Sequence, residues 1–224
     1  MAGMDRQHRR KSFVVIGLGR FGSSLARTLY EMGYETLAVD SGEMPVQEIA
    51  DFVTYAVQAD CTDIQALRSL GIRNMDVCVI GVGDLQTSIL ATVLVKELGV
   101  PYVVAKASSE MHGKVLDKVG ADRVVYPERD MGYRMAHNLV SGSIVDYIEL
   151  VPGYSIVEVE IHADYVGRTL RQVDLRAKYG INVMAVRRGD QVEVVPEAEF
   201  LFETGDILVA MGPDSKLEKL VMRG

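Results

Sequence analysis

Val14-Val15-Ile16-Gly17-Leu18-Gly19-Arg20-Phe21-Gly22 decides how the first part of this 224-residue chain folds. Three branched apolar residues in succession predict a buried strand, and the glycines that follow predict a tight turn into a helix. Each glycine has its own task. Gly17 permits the turn, Gly19 removes a side chain that would keep a pyrophosphate from the first-turn amides, and Gly22 lets the helix lie close to the sheet. The exposed amides and the partial positive charge of a helix start then suit phosphate. Asp40 lies 23 residues past Gly17, at the end of the next predicted strand. Its carboxylate would accept hydrogen bonds from ribose hydroxyls and repel a 2′-phosphate.

Outward from this stretch, short branched apolar runs predict strands at 13–16, 36–39, 54–57, 77–80, 102–105 and 123–126. Amphipathic segments between and after them predict helices at 20–31, 43–50, 63–69, 85–98, 110–119 and 129–139. Phe21, Leu25 and Leu29 form the apolar stripe of the first, which Gly33 ends, and Asp63, Asp84 and Ser109 can cap later ones. The fold class is α/β: a doubly wound parallel-sheet nucleotide-binding domain at 13–140, after a basic arm at 1–12.

The periodicity changes at Ser141-Gly142-Ser143, which reads as a hinge. Beyond it strands are predicted at 155–161, 181–186, 191–195 and 207–211, with helical pattern at 166–179 and 215–222. Arg188-Gly189-Asp190 and Gly205-Asp206 supply turns. The region 141–224 is thus a small α+β lobe, and a lobe of that size gains stability from a partner, which makes it the expected dimerisation element.

Composition narrows the function classes. A hydrophobic fraction of 48% with 25% charged residues describes a packed protein rather than a disordered one. Net charge is -7 and the basic residues are dispersed, which argues against a nucleic-acid surface. The least charged stretch, 77–95, carries Asp84 and is broken by Gly81 and Gly83, short of the roughly 20 apolar residues that span a bilayer. The basic start leads straight into the first strand instead of a signal segment, so cytoplasmic residence is expected. Cys61 and Cys78 lack metal-site spacing and read as small apolar filling.

Ligands in such sheets sit beyond the carboxyl ends of the strands. Asp60 and Cys61 follow the third strand and are candidates for an adenine pocket; Gly81 and Gly83, after the fourth, allow backbone to approach a nucleotide. Lys106 ends the fifth strand and could offset phosphate charge, and Glu128 follows the sixth, in a charged run around Pro127 that reads as surface. An NAD-dependent oxidoreductase is the alternative, but it needs an acid or base beside the nicotinamide. None of His8, His112, His137 and His162 comes from an obvious strand-end loop opposite the glycines. A redox-sensing repressor would carry a helical DNA-binding module, and the short stretch before the first strand leaves no room for it there.

Several segments unrelated to generic dinucleotide binding complete the pattern: Gln58-Ala59-Asp60-Cys61-Thr62, Leu70-Gly71-Ile72, Lys96-Glu97-Leu98, Val104-Ala105-Lys106-Ala107, Gly120-Ala121-Asp122-Arg123, Pro127-Glu128-Arg129-Asp130-Met131-Gly132 and Arg176-Ala177-Lys178-Tyr179-Gly180. With GLGRFG and Asp40 they make the chain resemble the regulatory subunits of the Ktr and Trk potassium transport systems, Ktr-type subunits above all. The resemblance implies a cytosolic gating subunit, peripheral to the inner face of the cell membrane, that is not an enzyme. Homodimers would assemble into an octameric ring on a separate potassium-translocating membrane subunit. The ligands it implies are ATP or ADP, with NAD or NADH as alternatives. Arg20 would then contact phosphate, including that of a neighbouring subunit, and Glu128 would hold a divalent cation, Mg2+ or Ca2+, at the phosphates. The resemblance also implies a cyclic di-AMP site in the C-terminal lobe around Leu170, Arg176 and Pro196, with a plain dimer interface as the alternative.

Overall fold

The computed structural model describes residues 11–140 and 144–221. The hinge at 141–143, most of the basic arm with His8, and Met222 lie outside the described residues. The chain forms two compact units, one through Glu128 and one from Arg129 onward.

The first unit alternates β1 (Ser12–Ile16), α1 (Arg20–Glu31), β2 (Glu35–Asp40), α2 (Glu43–Ile49), β3 (Tyr55–Gln58), α3 (Ile64–Ser69), β4 (Val77–Ile80), α4 (Leu85–Glu97), β5 (Tyr102–Lys106), α5 (Glu110–Lys118) and β6 (Arg123–Val125). All six strands are parallel, in the order β3-β2-β1-β4-β5-β6. Successive side chains point to opposite faces, so each central strand feeds two apolar layers. Val15, Ala38 and Val79 pack with Phe21, Leu25 and Ala26 of α1 on one face. Val14, Ile16, Cys78 and Ile80 pack with Leu67, Ala91 and Leu116 of α3, α4 and α5 on the other. Asp63, Asp84 and Ser109 cap their helices, accepting from the amides of Gln65, Thr87 and His112.

The sixth helix, α6 (Pro127–Val140), begins two residues earlier than the apolar pattern predicts. Proline suits a first helical position because its missing N–H has no partner there anyway. Glu128 consequently lies in a helical first turn, not in a loop after the strand.

The second unit is a five-stranded antiparallel sheet, built from β7 (Ile144–Val151), β8 (Tyr154–Glu160), β9 (Asn182–Arg188), β10 (Gln191–Val194) and β11 (Ile207–Pro213) in the order β10-β9-β11-β8-β7. Its helices are α7 (Leu170–Val173) and α8 (Leu175–Tyr179), ahead of β9, and the final α9 (Asp214–Val221). Two expectations are corrected here. No strand is predicted before residue 155, yet β7 occupies that stretch and pairs with β8 through a turn at Pro152 and Gly153. The helical pattern at 166–179 is two short helices, broken at Asp174, whose φ of 49° places it in the left-handed region. The unit packs around Val157, Val159, Val173, Leu175, Ile181, Phe202 and Leu208.

An ion pair between the half-exposed Arg188 and the buried Asp206 ties β9 to the loop before β11. Arg188 Nε and Nη2 donate to the two oxygens of Asp206 at 2.7 and 2.8 Å, and Nη1 lies 2.8 Å from Glu203. Burial alone would raise the Asp206 carboxyl, but the Arg188 bonds and charge and the Glu203 amide hold it below the usual carboxylate range.

Candidate functional site

β1 and β4 are neighbours whose following helices, α1 and α4, cover opposite faces of the sheet. A crevice opens where the winding reverses in this way. Two glycine loops form its floor. Gly17 has a φ of 90° and donates its N–H to the Val39 carbonyl at 2.8 Å, and a Cβ there would lie 2.8 Å from the Val82 nitrogen. Gly81 donates to the Ile16 carbonyl at 2.7 Å, which holds the second loop against the first. A Cβ on Gly22 would stand 1.8 Å from the Gly17 carbonyl oxygen, so the helix reaches the turn only because that side chain is missing.

Gly19 differs from these. A Cβ at Gly19 would meet nothing within 4 Å, and the residue starts α1 without a side-chain cap, whereas α3, α4 and α5 are capped. The open space beside it belongs to a cavity of about 240 Å³ lined by Gly17, Gly19, Asp40, Cys61, Gly81 and Gly83, with Ile16, Ser41, Ala59, Val82 and Thr87. Asp40 braces this floor. Its Oδ2 accepts from the Leu18 N–H at 2.6 Å and its Oδ1 from the Gly42 N–H at 2.8 Å, leaving each oxygen further lone-pair capacity.

The remaining predicted residues divide. Cys61 lines the cavity while only 8% exposed; burial first, then the Asp60 charge, pushes its thiol up to about 11, so it is a neutral packing group. Asp60 lies outside the lining, where its carboxylate accepts from the hydroxyl and amide of Thr62 at 2.7 and 2.8 Å and is held below the usual range by those bonds. The Phe21 side chain packs into the layer under α1. The Lys106 ammonium donates to Glu128 at 2.6 Å. The Glu128 carboxyl is lowered by that bond, by backbone and Lys106 charge, and by the charge of Arg20. The Arg20 side chain is exposed and makes no hydrogen bond or ion pair with a described residue. Among the described residues no group of three metal-ligating side chains gathers.

Ser41, Ala59, Val82 and Thr87 line the cavity without having been named as ligand-site candidates from sequence. Ser41, Ala59 and Val82 adjoin residues that were, so a reading of whole strand-end loops would have found them; Thr87 comes from the first turn of α4 instead.

The second unit has its own cavity, of about 460 Å³, and Leu170, Arg176 and Pro196 line it together with Arg171, Asn182 and Ala198. Arg171 is engaged by Glu199 at 2.7 Å.

A parallel sheet with a glycine floor at its switch point, followed by an antiparallel lobe, defines a dinucleotide-fold domain joined to a small second domain. Residues 13–127 match the TrkA-N domain and residues 155–223 the TrkA-C domain. The chain belongs to the TrkA-N/TrkA-C family, the Ktr and Trk group of potassium-uptake proteins. It is 44% identical to the Ktr system potassium uptake protein C of Bacillus subtilis, over 96% of this chain and 97% of that one. It is 39% identical to the Ktr system potassium uptake protein A of the same organism, over 96% and 98%. Among solved structures, the GsuK RCK domain shares the fold with a TM-score of 0.67 at 20% identity, over 96% of this chain and 48% of that one. GsuK bound to ADP superposes with a TM-score of 0.52 at 29% identity, over 60% of this chain and 35% of that one. No helix among the described residues is long and apolar enough to cross a membrane.

Proposed function

We propose that this chain is a cytosolic nucleotide-sensing gating subunit, working as an octameric ring of dimers on a separate potassium-translocating membrane protein. The observation that carries the proposal is the uncapped start of α1 at Gly19, open to the cavity, with the exposed guanidinium of Arg20 next to it. Helix amides receive the α- and β-phosphates of ATP or ADP, Asp40 receives the ribose, and Cys61 and Ala59 flank the base. A nicotinamide dinucleotide, NAD or NADH, fits the same floor. Arg20 reads the γ-phosphate across a subunit contact, so exchange of ADP for ATP favours one ring shape over another. The relatives' role in potassium uptake and the ADP-bound GsuK support this reading. A phosphate-bound Mg2+ or Ca2+ takes Glu128 as a ligand by displacing Lys106, the phosphates supplying the further oxygens.

Native mass and nucleotide competition on one purified sample test the proposal. An octamer in which ATP and ADP displace each other is expected. A dimer that binds only NADH and turns over a substrate would establish the oxidoreductase instead.

A second reading concerns the other unit. Leu170, Arg176 and Pro196 lining one cavity favours cyclic di-AMP as a ligand of the C-terminal lobe, an arginine facing phosphate and apolar groups facing adenine.

A further inference from the structure

His112 is 1% exposed, sits in the first turn of α5 and is not among the residues that line the glycine cavity. Its ring joins two parts of the surrounding wall. Nδ1 receives the backbone N–H of Ser108 at 3.3 Å, and the Ser108 hydroxyl lies 3.2 Å from the same nitrogen. An amide can only donate, so Nδ1 holds the lone pair and the proton resides on Nε2. Nε2–H then donates to Ser88 Oγ at 2.8 Å, and the Ser88 hydroxyl donates to the Leu85 carbonyl at 3.1 Å. Ser88 follows Thr87, which lines the cavity, and Ser108 stands two residues past Lys106.

The geometry points to His112 as a proton-operated latch through which acidification weakens the nucleotide site, an inference that rests on the nucleotide reading above. A second ring proton can add only at Nδ1, where it would face the Ser108 N–H. Donor would then meet donor at the Ser108 amide, leaving only the Ser108 hydroxyl to accept the new proton, so the loop at 107–109 loses its backbone tie through the ring to the first turn of α4. Burial already holds the imidazole below its usual range, so the charged form is reached by breaking this packing. Serines face the ring from α4 and from the loop, Ser109 caps the helix beneath it, and the Tyr126 phenol packs on the adjacent Gly113. Among the described residues no carboxylate or cation shifts its titration.

Calorimetric ADP affinity of the intact protein, followed from about pH 8 down to about pH 5.5, tests the latch against His112→Gln. Glutamine offers an acceptor and a donor but does not titrate. Titration of the ADP phosphates is common to both proteins and cancels in the comparison. Over that range the wild type should lose about fivefold more affinity than the variant, the low end of ordinary coupling between sites. Reciprocity supplies a measurement that needs no variant: ADP should lower the pKa of the His112 ring in proton NMR of the wild type. Matching pH profiles, or a ring titration that ADP leaves unmoved, would overturn the latch alone. No ADP binding at any pH would overturn the nucleotide reading and the latch with it.

Discussion

The two units each enclose a cavity, but one is made of backbone and the other of side chains. In the first unit the floor is built on glycines 17, 19, 81 and 83; Gly17 and Gly81 donate their amides to Val39 and Ile16, and what the floor offers a ligand is the uncapped start of α1. In the second unit the cavity is walled by Arg171, Arg176, Asn182 and apolar side chains around two short helices. Backbone donors are fixed by the fold, so they recognise what every nucleotide shares, its phosphates. Side chains on short helices can differ between related proteins without disturbing the sheet, so they suit recognition of a particular ligand.

The largest effect should come from breaking the first floor at Gly22. Alanine there places a carbon 1.8 Å from the Gly17 oxygen, an overlap with backbone that only a shift of α1 can relieve. Gly22→Ala should cost about 3 kcal/mol in urea unfolding, the upper range for overpacking, and abolish ADP binding as well. Gly19→Asp separates the two consequences, since the position opens on free space. The carboxylate would occupy and repel the phosphate position, and ADP affinity should fall by about a hundredfold while the unfolding midpoint barely moves. Equal affinity in the calorimeter for wild type and Gly19→Asp would refute the assignment of the cradle.

A smaller effect sharpens the contrast between reading phosphate with backbone and with a side chain. Arg20→Ala leaves the glycine floor and Asp40 intact, so adenosine affinity should persist. The ratio of ATP to ADP affinity should fall by about ten- to hundredfold toward one, the range of a charge-assisted contact. Potassium flux through the reconstituted membrane partner, titrated with each nucleotide, should lose its preference for ATP in parallel. Wild-type discrimination in the variant would move the role to Lys106, now held by Glu128.

The same contrast explains what the sequence made legible. Glycine spacing is dictated by backbone sterics, so the tight turn at Gly17 and the close approach of the helix at Gly22 follow from residue order alone, as do the caps at Asp63, Asp84 and Ser109. The second unit offered weaker signals, and two were present but unread. Pro152-Gly153 marks a turn, and with it the hairpin of β7 and β8. Thr169 and Gln172 form a capping box that starts α7 inside what reads as one longer helix. Another feature had no local signal. That Lys106 is held by Glu128 depends on which loops the sheet order brings together, whereas the turn of Asp60 back on Thr62 is a local Asp-x-Thr pattern.

The smallest predicted effect tests whether the second cavity is a site at all. Arg176 lines it from α8, and the other lining arginine, Arg171, is already engaged by Glu199. Losing Arg176 should therefore remove a cation that is available to a ligand phosphate, while Arg171 stays paired. Arg176→Ala should weaken cyclic di-AMP binding by about tenfold, the value of one charge-assisted hydrogen bond, and leave ADP affinity unchanged because the glycine floor belongs to the other unit. Arg176 is an exposed residue of a short helix, so stability should change little and a loss of affinity is not a folding artefact. Unaltered cyclic di-AMP affinity would assign the cavity wall to packing between protomers, and the native mass of the variant would then be the quantity to change. A parallel fall in ADP affinity would break the comparison itself, since it would show that the two cavities respond as one site.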